Sequence, residues 1–113
     1  MTDITQISVT ATAELALKKL KKADVVRASL LDRTYVYKIF AGEKNPTRDK
    51  LIALAFGLHL TDLETQKMLK LSGNRELYAR DERDALILFS LQQNKTIFEL
   101  NEMLIDHELV ILN

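Results

Sequence analysis

The chain has 113 residues, enough for one domain with its own hydrophobic core, and it contains no cysteine, which excludes a disulfide framework and a thiolate metal site. Hydrophobic residues make up 47% of it, which excludes an intrinsically disordered chain, and only 3 Gly and 1 Pro favour helices over a turn-rich β fold. Sixteen basic and 16 acidic side chains give a formal net charge of zero.

The charges are unevenly distributed along the chain. Residues 17–50 carry ten basic and four acidic side chains, a balance of +6, whereas residues 51–113 have a balance of −4 and residues 1–16 of −2. A polarised molecule can present a cationic face to an anionic partner. The zero net charge therefore does not exclude a nucleic acid as the partner.

Several function classes are not expected from this sequence. No apolar run approaches the roughly 20 residues of a transmembrane helix, so we expect no membrane partner. The start of the chain lacks the basic and then apolar pattern of a signal peptide, which predicts a cytoplasmic protein. No cofactor, kinase or protease motif is present and histidines number only two, so we expect neither an enzyme nor a bound cofactor or metal.

The predicted elements begin with an N-terminal arm over residues 1–12, which are mostly polar and β-branched without a helical period. Thr10 or Thr12 would cap a first helix that runs to about Lys19. Its apolar side would carry Ala13, Ala16, Leu17 and Leu20.

Two short helices follow, over residues 22–29 and 33–40. The first would bury Val25 and Val26. Asp32 is a good N-cap for the second, because its carboxylate can accept the free amide hydrogens of the next turn. Gly42 would end this helix in a left-handed conformation. Its inward side chains are predicted to be Val36, Ile39 and Phe40.

Four further helices are predicted. The fourth follows Asn45-Pro46-Thr47 and carries an apolar stripe of Leu51, Leu54, Ala55 and Leu58. Capping boxes open the fifth helix at Thr61 and the seventh at Thr96. The sixth, over residues 80–93, is apolar almost all round and is expected to be buried on more than one side. Asp81, Glu82 and Asp84 lie at its start. We interpret them as acidic residues that stabilise the positive end of the helix dipole, rather than as a catalytic or metal site.

Two short helices joined by a tight turn, within the cationic third of the chain, are typical of a helix-turn-helix arrangement. In that arrangement the second helix enters the major groove of DNA while the first crosses the phosphate backbone. Burial of one side of the second helix leaves its other side outward, with Arg33, Thr34, Tyr37 and Lys38.

Landmarks over residues 25–51 resemble the lambda-repressor-like, or Cro/XRE-type, helix-turn-helix family of bacterial and phage regulators, and the resemblance covers about residues 13–73. The positions in step with the family pattern are Leu31, Asp32, Val36, Ile39, Gly42, Asn45-Pro46-Thr47 and Leu51. The sequence departs from that pattern at Leu30 and His59, where the family usually has Gly, at Lys21 and Lys22, where a Thr or Ser and a Gln are usual, and at Phe40, which replaces an acidic residue.

The resemblance implies an all-α bundle of about five helices, here with two additional C-terminal helices, that binds double-stranded DNA. It implies that Arg33 and Thr34 read bases and that Tyr37 and Lys38 face the groove or its wall. It also implies that Lys22 contacts the DNA backbone and supports the reading helix, and that Lys44 and Asn45 lie in the loop that touches phosphate or a flanking base. By their charge, Lys22, Lys44, Arg48 and Lys50 would add salt-sensitive attraction to phosphate.

The sequence thus predicts a sequence-specific transcriptional regulator, in particular a repressor that occludes a promoter. The alternative is a protein-interaction adaptor, or an antitoxin-like module, on the same fold. Residues 74–113 are a C-terminal helical extension with two open interpretations. Residues 80–112 form the interface of a homodimer, or they complete the core of the monomer.

Overall fold

The computed structural model describes residues 4–113, which form seven α-helices and no strand in that range. The helices, α1 to α7 in chain order, span Ile4–Leu17, Lys22–Ser29, Arg33–Phe40, Arg48–Gly57, Asp62–Leu71, Glu82–Gln92 and Ile97–Asp106. The predicted all-α class is therefore confirmed. Within residues 4–113, no helix combines the length and the apolar character needed to cross a membrane.

Polar residues at the helix starts act as the sequence predicts. The Asp32 carboxylate accepts a hydrogen bond from the Tyr35 amide at 3.2 Å. At the start of α5, the Glu64 amide donates to the Thr61 hydroxyl at 3.1 Å and the Thr61 amide donates to the Glu64 carboxylate at 2.8 Å. Thr96 and Glu99 form the same reciprocal pair at the start of α7. These bonds satisfy amides that a helix N-terminus otherwise leaves free.

Among residues 4–113, five left-handed positions are occupied by residues other than glycine. Gly42 ends α3 with φ of +77°, as predicted, and the Glu43 amide closes the turn on the Lys38 carbonyl at 2.8 Å. Leu30 and His59, which stand where the resembled family has Gly, also take positive φ values of 63° and 54°. A left-handed conformation costs a residue with a side chain about 1–2 kcal/mol.

The first helix corrects the sequence prediction. α1 begins at Ile4, so the predicted arm is helical from residue 4 onward, and residues 1–3 lie outside the described residues. Ile7 and Ala11 are fully buried, whereas Ala13, expected to face inward, is exposed and Leu17 is 75% exposed. The β-branched residues of this segment are poor helix formers, but packing of α1 on α3 and α5 outweighs that propensity.

Helix α4 is buried on all sides. Every residue from Leu51 to Leu58 is buried, although the sequence indicated only a stripe. Its closest neighbour is α2, because a Cβ atom at Gly57 would lie 2.8 Å from the Val25 carbonyl oxygen and 2.9 Å from the Ser29 Cβ atom. The absence of a side chain at Gly57 therefore sets the distance between α2 and α4.

The C-terminal extension packs into the same core as the rest of the chain. The buried cluster runs from Ile7 in α1 to Leu112 in the C-terminal tail and includes Ile87 of α6 and Leu100 of α7. The tail is held by Asn101, whose side-chain amide donates to the Leu112 carbonyl at 2.7 Å and accepts from the Leu112 amide at 2.9 Å. Residues 74–113 therefore complete the core, and a homodimer through residues 80–112 stays a prediction.

Helix α6 is less buried than its apolar sequence indicates. Ile87 and Leu91 face the core, but Phe89 is 44% exposed. The helix nevertheless contacts both α5 and α7, so it is covered on more than one side, as the sequence predicts. The helix that is buried all the way round is α4.

We expect Gly57→Ala to lower the free energy of unfolding by about 1–3 kcal/mol, because the new methyl group would force α2 and α4 apart. In an unobstructed helix the same change stabilises by about 1 kcal/mol, so the sign of the effect is informative. Urea denaturation measures the change in the free energy of unfolding, and Thr12→Ala on the exposed side of α1 is the control. An unchanged or raised stability of Gly57→Ala would contradict the close approach.

Leu30→Gly should raise the free energy of unfolding by about 0.5–1 kcal/mol, because relief of left-handed strain exceeds the entropic cost of glycine. The control is Leu17→Gly, which also replaces an exposed leucine but at a right-handed position, the last residue of α1, and should destabilise by up to about 1 kcal/mol. Thermal unfolding followed by circular dichroism distinguishes them. Equal destabilisation by both changes would be inconsistent with strain at Leu30.

Candidate nucleic-acid interface

One side of α3 is buried and the other is free. Val36, Ile39 and Phe40 are buried, and α3 packs on α1 and α2 through this side. On the opposite side, the exposed residues are Arg33, Thr34, Tyr37 and Lys38. Their spacing of one and four residues places them on a single face of the helix. The structure therefore confirms which side of this helix faces outward.

The outward face of α3 is one wall of an open concavity of about 480 Å³. Lys22, the first residue of α2, lies in the same concavity, and Ala41 and Glu43 complete its rim. We call this surface the α3 concavity; its lining residues are Lys22, Arg33, Thr34, Tyr37, Lys38, Ala41 and Glu43. It brings together five of the eight residues that the sequence predicted for DNA contact.

Lys22 is positioned by two aromatic rings. Its Nζ atom lies 5.4 Å from the ring centroid of Tyr37 and 5.6 Å from that of Phe40. An ammonium group over an aromatic face is attracted by the ring quadrupole and keeps its charge. Lys22 is thus oriented toward α3 without being neutralised.

Four basic side chains of this region form no ion pair with a carboxylate among residues 6–113. Among residues 6–113, no Asp or Glu oxygen lies within ion-pair distance of Lys22, Arg33, Lys38 or Lys44. Lys44 and Asn45 are exposed in the loop between α3 and α4, and they extend the surface beyond the α3 concavity. A surface with unpaired, exposed cations can exchange its counterions for a polyanion.

The two tyrosines of α3 have different roles. Tyr37 is 40% exposed in the α3 concavity. Tyr35 is half-buried against the core, and burial raises the pKa of its hydroxyl. The Nζ atom of Lys50 lies 5.7 Å from the Tyr35 ring centroid. Tyr35 therefore supports α3 from behind, and Tyr37 is the tyrosine available to a ligand.

Arg48 is not available for the predicted phosphate contact. Its guanidinium donates to the Asp84 carboxylate at 2.9 and 3.3 Å and to the carbonyls of Arg75 and Glu76 at 2.8 and 3.1 Å. The Arg48 side chain is only 17% exposed, and that of Asp84 is 1% exposed. A buried carboxylate requires a close cation, so Arg48 is a structural residue and we remove it from the candidate interface.

A second ion pair also joins α4 to α6, but here the arginine is on α6 and the aspartate is on α4. The Arg83 guanidinium donates to both oxygens of Asp49, at 2.9 and 3.1 Å, and to the Val110 carbonyl at 2.8 Å. The Arg-Asp dipeptide that opens α4 thus pairs reciprocally with the Arg-Asp dipeptide in the first turn of α6. Sequence reasoning did not predict these two ion pairs, although an Arg-Asp dipeptide at the start of each helix was a visible signal of them.

Lys50 contacts the C-terminal tail, because its ammonium group donates to the Asn113 carbonyl at 3.1 Å.

Comparisons of the chain with protein-family models, with curated proteins and with solved structures find no match. The resemblance to the lambda-repressor-like family over about residues 13–73 therefore rests on the sequence landmarks alone and stays a prediction. Function has to be inferred from the geometry and charge of the α3 concavity.

Arg48→Ala should lower the free energy of unfolding by about 3–5 kcal/mol, because it leaves the buried Asp84 carboxylate without its bidentate partner. Arg33→Ala, which removes an exposed and unpaired arginine, should change stability by no more than about 0.5 kcal/mol. Urea denaturation of the two variants provides the comparison. Similar stabilities would show that the Arg48–Asp84 pair does not hold α4 to α6.

Proposed function

We propose that the protein is a sequence-specific, double-stranded DNA-binding transcriptional regulator that inserts α3 into the major groove. The observation that supports this most directly is the α3 concavity, in which exposed base-reading side chain types adjoin unpaired cations. By occupying a promoter, such a protein represses transcription without any chemistry of its own.

The dimensions and chemistry of α3 suit a major groove. A helix is about 10–12 Å across with its side chains, and the groove is about 12 Å wide. Arg33, the first residue of α3, has a planar guanidinium that can donate two hydrogen bonds to guanine O6 and N7. Thr34 and Tyr37 add hydroxyl groups, and the Thr34 methyl group can contact the methyl group of thymine.

The surrounding cations would bind the phosphate backbone. Lys22 approaches from α2, Lys38 from the later part of α3, and Lys44 with Asn45 from the following loop. Contacts of this kind fix the orientation of the protein on the duplex without specifying a sequence. Arg33 and Thr34 are therefore assigned to specificity, and the lysines to affinity.

Fluorescence anisotropy with a duplex pool of random sequence tests the affinity assignment. If about four lysine and arginine side chains neutralise phosphates, the affinity should fall roughly a hundredfold between about 50 and 200 mM salt. Lys44→Ala should weaken binding uniformly across sequences and reduce the salt slope by about one unit. Binding that is weak and independent of salt would contradict the proposal and favour the protein-interaction adaptor.

A selected-site assay tests the specificity assignment. Arg33→Ala should lose discrimination of about 1–3 kcal/mol at one guanine position. Arg80→Ala is the matched control, because Arg80 is also exposed and lies in the connection between α5 and α6, outside the candidate interface. If the two variants select the same sites as the unmodified protein, α3 does not read DNA.

A further inference from the structure

A second concave surface lies between α1 and α5 and shares no residue with the α3 concavity. It consists of two cavities of about 290 Å³ each, which adjoin because Thr10 and Leu71 line both. Leu60 and Met68 are buried beneath it, 4% and 2% exposed. We call this surface the α1–α5 trough; the residues used below are Val9, Thr10, Glu14, Glu64, Met68 and Leu71.

The mouth of the α1–α5 trough is apolar. Val9 on α1 is 68% exposed and Leu71 on α5 is 43% exposed, and both side chains line the same cavity. Within α1 the only charged side chain is that of Glu14. Covering Val9 and Leu71 would remove apolar surface from water, which favours association.

Inside the trough the Glu14 carboxylate has only weak partners, namely a distant Lys18 ammonium and a hydrogen bond shared with the Glu64 carboxyl group. The Oε2 atom of Glu14 is buried and accepts no hydrogen bond within residues 6–113. The nearest cation, Lys18 Nζ, is 3.9 Å away and lies closer to Glu64, at 3.1 Å. Burial and then the neighbouring Glu64 carboxylate raise the pKa of Glu14. A carboxylate in this state is stabilised by any cation that reaches it.

The Glu64 carboxylate is already satisfied. Burial alone would raise its pKa, but hydrogen bonds from the Thr61 amide and from Lys18, the charge of Lys18 and a hydrogen bond with the Glu14 carboxyl group more than offset that effect, so its pKa is lowered. Lys67 also lines the trough, but its side chain is exposed and forms no ion pair with Glu14 or Glu64. Glu14 is therefore the acidic group that is left for an incoming donor.

We propose that the α1–α5 trough binds a segment of another protein in which one lysine or arginine lies between apolar residues. The apolar neighbours cover Val9 and Leu71. The methylene stem of the basic side chain runs over Met68, and its charged head donates to the Glu14 carboxylate. Long basic side chains can bury their stems on apolar surface in this way while their heads meet a charge.

This partner can bind while the protein is on DNA. The α3 concavity is formed by the start of α2, the outward face of α3 and the residues that follow α3, whereas the trough is formed by α1, α5 and Leu60. The inference does not depend on the proposed DNA binding, since no residue is common to the two surfaces. If both activities are present, the α3 concavity selects a DNA site and the α1–α5 trough holds a second protein at that site.

The test uses a fluorescent amphipathic peptide with leucines along one helical face and a single central arginine, together with matched peptides that carry glutamine or glutamate at that position. The full chain should bind the arginine peptide about tenfold more tightly than the glutamine peptide, and the glutamate peptide least. In Glu14→Gln the preference for arginine should disappear. A preference that survives Glu14→Gln, or no binding of any of the three peptides, would overturn the proposal.

Circular dichroism would reveal whether Glu14→Gln is poorly folded. In that case, variants of an apolar residue at the edge of the α1–α5 trough provide the test. Leu71→Lys should weaken the arginine peptide about tenfold or more, because it places a cation at the apolar mouth. Leu63→Lys is the matched control on α5, since Leu63 is 71% exposed and does not line the trough. Equal effects of both changes would refute binding of another protein there, as would a dimer in sedimentation that Leu71→Lys dissociates and Leu63→Lys does not.

Discussion

Helix α4 has no polar side, and this constraint organises the rest of the molecule. Eight consecutive residues, from Leu51 to Leu58, are buried, so α4 has to be covered all the way round. Helix α2 approaches most closely because Gly57 has no side chain, and α5 packs on α4 as well. The start of α4 is held to α6 by the reciprocal ion pairs of Arg48 and Asp49. The C-terminal extension is therefore a structural requirement of the core.

The same packing engages some of the basic side chains of residues 17–50 and leaves others without a carboxylate partner. Lys18, Arg48 and Lys50 are engaged by acceptors from α5, from α6 and from the C-terminal tail. Lys22, Arg33, Lys38 and Lys44 remain without carboxylate partners among residues 6–113, and three of these four line the α3 concavity. A charge balance counted along the chain overstates the cationic surface, because it includes side chains that neutralise buried or nearby acceptors. What it locates correctly is the segment from which the free cations come.

The two proposed binding surfaces have opposite physical character. The α3 concavity offers exposed hydrogen-bond donors and unpaired cations, which suit a hydrated polyanion with sequence-dependent base edges. The α1–α5 trough offers exposed apolar side chains around the Glu14 carboxylate, whose buried oxygen has only weak partners, and this suits a basic and apolar peptide. Helix α1 joins them, since it packs on α3 with one side, where Ser8 donates to the Phe40 carbonyl, and on α5 with another.

The sequence by itself determined the helical class, the bounds of α2 and α3, the caps at Asp32, Thr61 and Thr96 and the outward face of α3. These features depend on residues within about one helical turn of each other, so local hydrogen bonding and periodicity are sufficient. Tertiary structure alone decided that α1 starts at Ile4, that every residue from Leu51 to Leu58 of the α4 segment is buried, and that Arg48 is paired with Asp84. Each of these depends on partners that are distant in sequence, because burial and ion pairing are set by which helices meet and cannot be deduced from the period of one helix.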